Sequence, residues 1–214
     1  MDFLKKIRID LVLLYIFVSI PVWIWATMMP LSDRFATNAV ALTSIGQLTG
    51  LLGMTLVGLS MFFQVRLVFL NKFFLKPGTV NKLHHYFGIY GFILLLIHPI
   101  VLAIKYIPVS MSTAAKFLIG YNWVNLVGLF ALVGMFLSLY ITIFVDRSFR
   151  YWKLFHQLML IVYILIILHL LFTTSDISNN STLYVYIMGV TLAGGIAFLV
   201  QKGIYYYMKW GFGV

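Results

Sequence analysis

An all-α membrane protein, built as a bundle of six transmembrane helices with both termini cytoplasmic, is the fold class this sequence predicts, and three observations predict it. The 214 residues are 63% hydrophobic and only 9% charged, with a mean hydropathy of +1.03, far outside the range of water-soluble domains. Six stretches free of Lys, Arg, Asp and Glu are long enough to cross a hydrocarbon core, which takes about 20 residues at about 1.5 Å rise each. The basic residues gather on one side of those stretches, as cytoplasmic loops do.

The first stretch, Leu11 to Met29, predicts a helix at 11–29. It follows Lys5, Lys6 and Arg8 as a signal peptide would, but its apolar run is too long for an h-region and has no convincing cleavage site, so it is expected to be retained. After the turn Pro30 to Thr37, Ile45 to Gln64 predicts a helix at 45–70, where Gly46, Gly50 and Gly53 have the small-residue spacing that lets helix backbones approach. Pro77 and Gly78 mark the next turn, Leu75 to Lys82. His84 to Ile104 then predicts a helix at 84–106, Trp123 to Val145 one at 123–145, and Leu154 to Phe172 one at 151–173. Beyond the turn Ser175 to Thr182, Leu183 to Val200 predicts the last, at 183–206. Pro21 and Pro99 lie in or near the ends of spans and are expected to kink them. Backbone groups in lipid must be satisfied within their own segment, so each stretch has to be a helix, and the absence of strand alternation excludes a barrel. A single domain over 1–214 is expected. Gln201 to Val214 are too few for a flavin or nicotinamide domain, and neither a G-x-G-x-x-G nor a P-loop occurs to bind a nucleotide phosphate.

The net charge of +10 raises the question of nucleic acid, and the distribution of the basic residues answers it. Lys5, Lys6, Arg8, Arg66, Lys72, Lys76, Lys82, Arg147, Arg150, Lys153, Lys202 and Lys209 fall on one side of the predicted spans, against Arg34, Lys105 and Lys116 on the other. Topology in a cell membrane and contact with an anionic lipid bilayer account for that excess, so no nucleic-acid partner is expected. The chain has no Cys, which removes disulfides, thiolate iron-sulfur ligation and covalent attachment of c-type haem together.

All five histidines lie in or at the edge of two predicted spans: His84, His85 and His98 in the third, His156 and His169 in the fifth. Ionisable groups inside a membrane are costly and call for a functional explanation. Both spans run outward on the charge-based topology, so equal depths are found by counting. His84 and His156 stand near the inner end; 14 residues further lies His98 and 13 further lies His169, rises of about 21 and about 20 Å. Two levels result, each with one histidine from each helix. A six-coordinate b-type haem takes two imidazoles on opposite sides of its porphyrin, so the expectation is two haem b groups stacked across the membrane. At about 100° per residue His84 and His98 share a face, with Gly88 and Gly91 between them leaving room for the porphyrin. On the fifth helix 13 residues leave an offset of about 140°, which an ideal helix does not absorb. His85 also stands 13 residues from His98, but His84 is favoured as the ligand and His85 as an interfacial, partly hydrated side chain.

The motifs KLHHYFG at Lys82–Gly88, LLIHP at Leu95–Pro99, WKLFH at Trp152–His156 and ILH at Ile167–His169 resemble those of the ferric reductase-like transmembrane family. That family includes ferric reductases, NADPH oxidases and the haem-binding membrane subunit of a bacterial methionine sulfoxide reductase system. The resemblance runs from the second helix through the sixth. It implies that His84 pairs with His156 at an inner haem and His98 with His169 at an outer one, all four as iron ligands, and that electrons travel outward. In the family the electrons normally come from NAD(P)H through FAD in a cytoplasmic C-terminal domain. That domain being missing here, a separate cytoplasmic flavoprotein reductase or a quinol donor is implied, or the chain is a fragment. The sulfoxide reductase subunits usually lack one of the four ligands, so the full set points away from them.

Two rival classes account for parts of the pattern. A metal-ion or proton transporter would line its path with histidines and with Met28, Met29 and Met111. Against it, no Glu occurs, and Asp2, Asp10, Asp33, Asp146 and Asp176 all lie at or beyond helix ends, leaving no carboxylate relay. A structural subunit with histidines bridging helices explains polarity but not two matched levels. Imidazoles on both axial sides would direct acceptor chemistry to the outer haem edge, near Arg34, Lys105 and Lys116, while Arg147, Arg150 and Lys153 suit docking of an acidic flavoprotein.

Overall fold

Capping chemistry sets where the helices begin. In a computed structural model of the chain, which describes residues 9–65, 77–119, 122–145, 157–174 and 179–212, eight helices and no strand occur among the described residues. Helix α1 spans Ile9–Thr27 and is followed by one short turn of helix, α2, Leu31–Arg34. The Thr37 hydroxyl then accepts from Val40 N at 3.3 Å, the bond by which an N-cap satisfies an orphan donor, and α3 runs Asn38–Phe63. Helix α4, Pro77–Ile104, opens on a proline, whose missing N–H costs nothing at a first helical position. Ser110 Oγ accepts from Thr113 N at 3.0 Å to start α5, Met111–Ile119, and Asn122 Oδ1 accepts from Val124 N at 3.1 Å to start α6, Trp123–Phe144. Helix α7 is Met159–Phe172 and α8 is Ser181–Phe212.

Within Asn38–Phe63, Gly78–Ile104, Trp123–Phe144 and Ser181–Gly203 the helices are long and apolar enough to cross a membrane, and two shorter apolar helices are described at Leu14–Thr27 and Met159–Phe172. Their outward faces are apolar too. On α6 Phe130, Leu137 and Phe144, spaced two turns apart, are exposed, as are Ile161, Ile164 and Leu168 on α7. A water-soluble helix would put charge there; these faces suit lipid, and the chain is a membrane protein.

The helices pack as two compact units. The first comprises Met1–Pro30, Leu51–Gly91 and Ser181–Val214. Its core is Leu59 and Phe63 of α3, Val80 of α4 and Val190 of α8, with Leu14 of α1 and Tyr186 of α8 against them. Gly58 lets α3 meet α8, since a Cβ there would lie 2.9 Å from Val190 Cγ1. The Tyr186 hydroxyl donates to the Phe17 carbonyl at 2.6 Å, and the two rings stand 5.3 Å apart, tying α8 to α1.

The second unit comprises Leu31–Gly50 and Phe92–Asn180. Here α6 turns one stripe inward, Val124, Ala131, Met135 and Ser138, and α7 another, Val162, Tyr163, Ile166 and Leu170. Both stripes repeat at the helical period. The two helices meet closely at Gly134, where a Cβ would lie 2.7 Å from Val162 Cγ2.

Candidate functional site: imidazoles held by helix carbonyls

Three of the four histidines proposed as ligands from the sequence are described, and all three are half-buried with the same polar contact. His84 Nδ1 lies 2.9 Å from the Ser60 carbonyl oxygen, His98 Nδ1 lies 2.6 Å from that of Gly46, and His169 Nδ1 lies 2.8 Å from that of Val124. A carbonyl oxygen only accepts, so Nδ1 carries the proton in each ring and donates it. The neutral imidazole then has its lone pair on Nε2. Metal-ligating histidines are typically oriented this way, with the far ring N–H on a carbonyl or carboxylate. His156 lies outside the described residues.

Each contact joins neighbouring helices within one unit. In the first unit, His84 of α4 bonds Ser60 near the end of α3. The Ser60 hydroxyl lies 3.1 Å from His84 Nδ1 and donates to the His84 carbonyl at 2.8 Å. In the second, His98 of α4 bonds α3 and His169 of α7 bonds α6. The acceptors Gly46 and Ser60 are 14 residues apart, as are His98 and His84, the relation expected where two helices run antiparallel in constant register.

Steric room for these rings comes from glycines. A Cβ on Gly50 would lie 2.7 Å from His98 Nδ1, and one on Gly128 would lie 2.8 Å from His169 Nδ1; real Cβ atoms do not approach so closely, and any side chain there would push the ring away. Gly88 and Gly91, the positions expected to clear space on α4, face α3. A Cβ on Gly91 would meet Val57 Cγ2 at 2.9 Å and the Gly53 carbonyl at 3.2 Å, and one on Gly88 would meet Ser60 Oγ at 3.2 Å. They let α4 lie against α3, which brings the α3 carbonyls to the imidazoles.

His85 is exposed, its ring tilted at 57° to that of His84 with centroids 5.2 Å apart. Met29 and Met111 are exposed as well, and no group of three His, Cys, Asp or Glu able to hold a bare metal ion occurs among the described residues. Arg147, Arg150 and Lys153, considered as docking groups, fall outside the described residues. Lys105 Nζ reaches Thr43 Oγ1 at 3.4 Å and lies 4.9 Å from the centroid of the Tyr106 ring.

The acceptors and the glycine seats were not singled out as functional from the sequence. Every residue has a carbonyl, so an acceptor leaves no letter. Gly50 read as helix packing, and Gly128 is a single glycine in an apolar run, a weak signal on its own.

Comparison with known proteins agrees with the motifs. The profile of the family described as "Ferric reductase like transmembrane component" matches residues 49–167. No curated protein and no solved structure matches the chain.

Proposed function

The chain belongs to the ferric reductase like transmembrane component family, and from that premise we propose that it carries electrons across the membrane by means of two b-type haems. His84 and His156 hold the inner haem and His98 and His169 the outer one, in a six-span bundle of the cell membrane with both termini cytoplasmic. The observation that carries this reading is the shared state of the three described imidazoles, each with Nδ1–H on a helix carbonyl and the lone pair on Nε2. That donor set fits haem iron, which takes neutral imidazole nitrogen on both axial sides. When bound, haem supplies one-electron chemistry at a potential set by its axial ligands and burial.

The residues have three tasks. The carbonyls of Ser60, Gly46 and Val124 fix ring orientation and make each imidazole a stronger donor through its polarised N–H. The apolar side chains of α3, α4, α6 and α7 would keep water from a bound haem, which would lower the reorganisation cost of electron transfer. With histidines as the protein ligands of a bound haem, electrons would pass to ferric ion, oxygen or a partner protein on the outer side. The donor is a cytoplasmic flavoprotein that brings FAD and NAD(P)H, or a quinol. Arg147, Arg150 and Lys153 give an acidic flavoprotein a basic face to meet.

Oxidised and dithionite-reduced spectra of the purified protein, with a pyridine haemochrome count, test the reading. Two haem b per chain, falling to about one in His98→Ala, is the expected result. A colourless wild-type protein after haem-replete expression would sink it.

A further inference from the structure

His98 and His169 rest on the same seat, built twice in the second unit on different helices. On α3 the acceptor carbonyl belongs to Gly46 and the residue four further on is Gly50. On α6 they are Val124 and Gly128. The interval of four has a physical reason. In an α-helix the carbonyl of residue i points along the axis and accepts from the N–H of residue i+4, so one lone pair is already engaged. An imidazole N–H that takes the second lone pair must lie beside residue i+4 itself. A Cβ at that residue occupies the place the ring needs, as the separations of 2.7 Å at Gly50 and 2.8 Å at Gly128 express. At both seats a carbonyl in mid-helix accepts from a neighbouring histidine at close range where a glycine follows one turn later. The Ser60 carbonyl sits in the last turn of α3, where Gln64 N still bonds it at 3.1 Å and no glycine stands four residues on, so the glycine seat belongs to His98 and His169.

We propose that Gly50 and Gly128 are positioning residues for the outer pair of axial ligands, keeping each ring on its carbonyl with Nε2 turned away from the supporting helix. The inference rests on the haem reading above and adds to it two residues that act through the imidazoles they seat. A side chain at either position rotates the imidazole off its carbonyl. The ring then loses its orientation, and its donor strength falls with the polarised N–H. Weaker donation favours ferrous over ferric iron, so the outer haem is lost or, where retained, takes up electrons at a higher potential.

Gly134 supplies the control. A Cβ there would lie 2.7 Å from Val162 Cγ2, a clash of equal severity on the same helix α6 with no histidine in it. Gly50→Ala, Gly128→Ala and Gly134→Ala are to be purified in detergent and compared by haem count, low-spin EPR g-values and potentiometric titration, with thermal unfolding in parallel. The expected result is loss of about one of two haems, or altered g-values and a raised midpoint for one haem, in Gly50→Ala and Gly128→Ala. Gly134→Ala retains two haems with wild-type g-values and midpoints even if it melts earlier. Wild-type spectra and potentials in Gly50→Ala and Gly128→Ala would overturn the inference, as would the same haem loss in Gly134→Ala. A wild-type protein that binds no haem fails the functional reading itself and is distinguishable from both.

Discussion

The Ser60 hydroxyl and the His84 backbone and ring hold one another at two points. The hydroxyl donates to the His84 carbonyl at 2.8 Å, and the imidazole N–H is shared between the Ser60 carbonyl at 2.9 Å and the same hydroxyl at 3.1 Å. Ser60→Ala removes the side-chain bonds and keeps the carbonyl. A net hydrogen bond is worth about 1 kcal/mol in water and about 0.6 between membrane helices, so a loss of about 1 kcal/mol in an unfolding titration is expected. A weaker donor at the inner haem also raises that haem's midpoint, measured potentiometrically. Ser60→Thr keeps the hydroxyl and is expected to preserve both quantities.

His84 and His85 are neighbours in sequence with different surroundings. His84 is half-buried against α3, and His85 is exposed. His84→Ala is expected to remove one haem of two, while His85→Ala leaves the haem count and the reduced spectrum at wild type. A haem loss in His85→Ala with an intact count in His84→Ala would exchange their roles.

Apolarity located the long helices, but not their ends. The second span was expected from residue 45, where the strongly apolar run begins, whereas the helix starts at Asn38 because Thr37 caps it. The third was expected from His84; α4 starts at Pro77, since Lys82 ends the charge-free run without breaking the helix. Helix α5 went unforeseen because its nine residues are too short and too mixed in polarity for a scan of apolar length. For the site, the histidines were legible because an ionisable side chain in lipid is conspicuous, and His84 and His98 do bond α3, as positions on one face can. The fifth-helix offset failed the ideal-helix arithmetic, and regular helix α7 begins only at Met159, after a turn at Leu158 with φ −58 and ψ −19. His156 lies outside the described residues.

Ser138 lies 14 residues beyond Val124, as Ser60 lies 14 beyond Gly46. It is 3% exposed, and its hydroxyl finds no hydrogen-bond partner among the described residues. Burying a hydroxyl without a partner costs about 1–3 kcal/mol. Ser138→Ala is expected to raise stability by about 1 kcal/mol in the same unfolding titration. A loss of stability with a shifted haem midpoint would instead give the hydroxyl a ligand-holding partner, and would make Ser138 the counterpart on α6 of Ser60 on α3.

Tyr186 bonds the backbone of α1 from α8, through its hydroxyl on the Phe17 carbonyl at 2.6 Å. Tyr186→Phe keeps the ring contact at 5.3 Å and deletes the bond, so it isolates the polar term from the packing term. Four residues on from Phe17 stands Pro21, which has no N–H to give the Phe17 carbonyl, so the tyrosine hydroxyl supplies the donor that the regular helix lacks there. The cost is therefore expected toward the upper end for a hydrogen bond between membrane helices, about 1–2 kcal/mol, seen as a fall in the thermal midpoint. His84, His98 and His169 lie on other helices, so the haem count and both midpoints are expected to stay at wild type. A fall of several kcal/mol, or the loss of a haem, would mean that α1 and α8 hold the histidine-bearing helices in place rather than merely packing beside them.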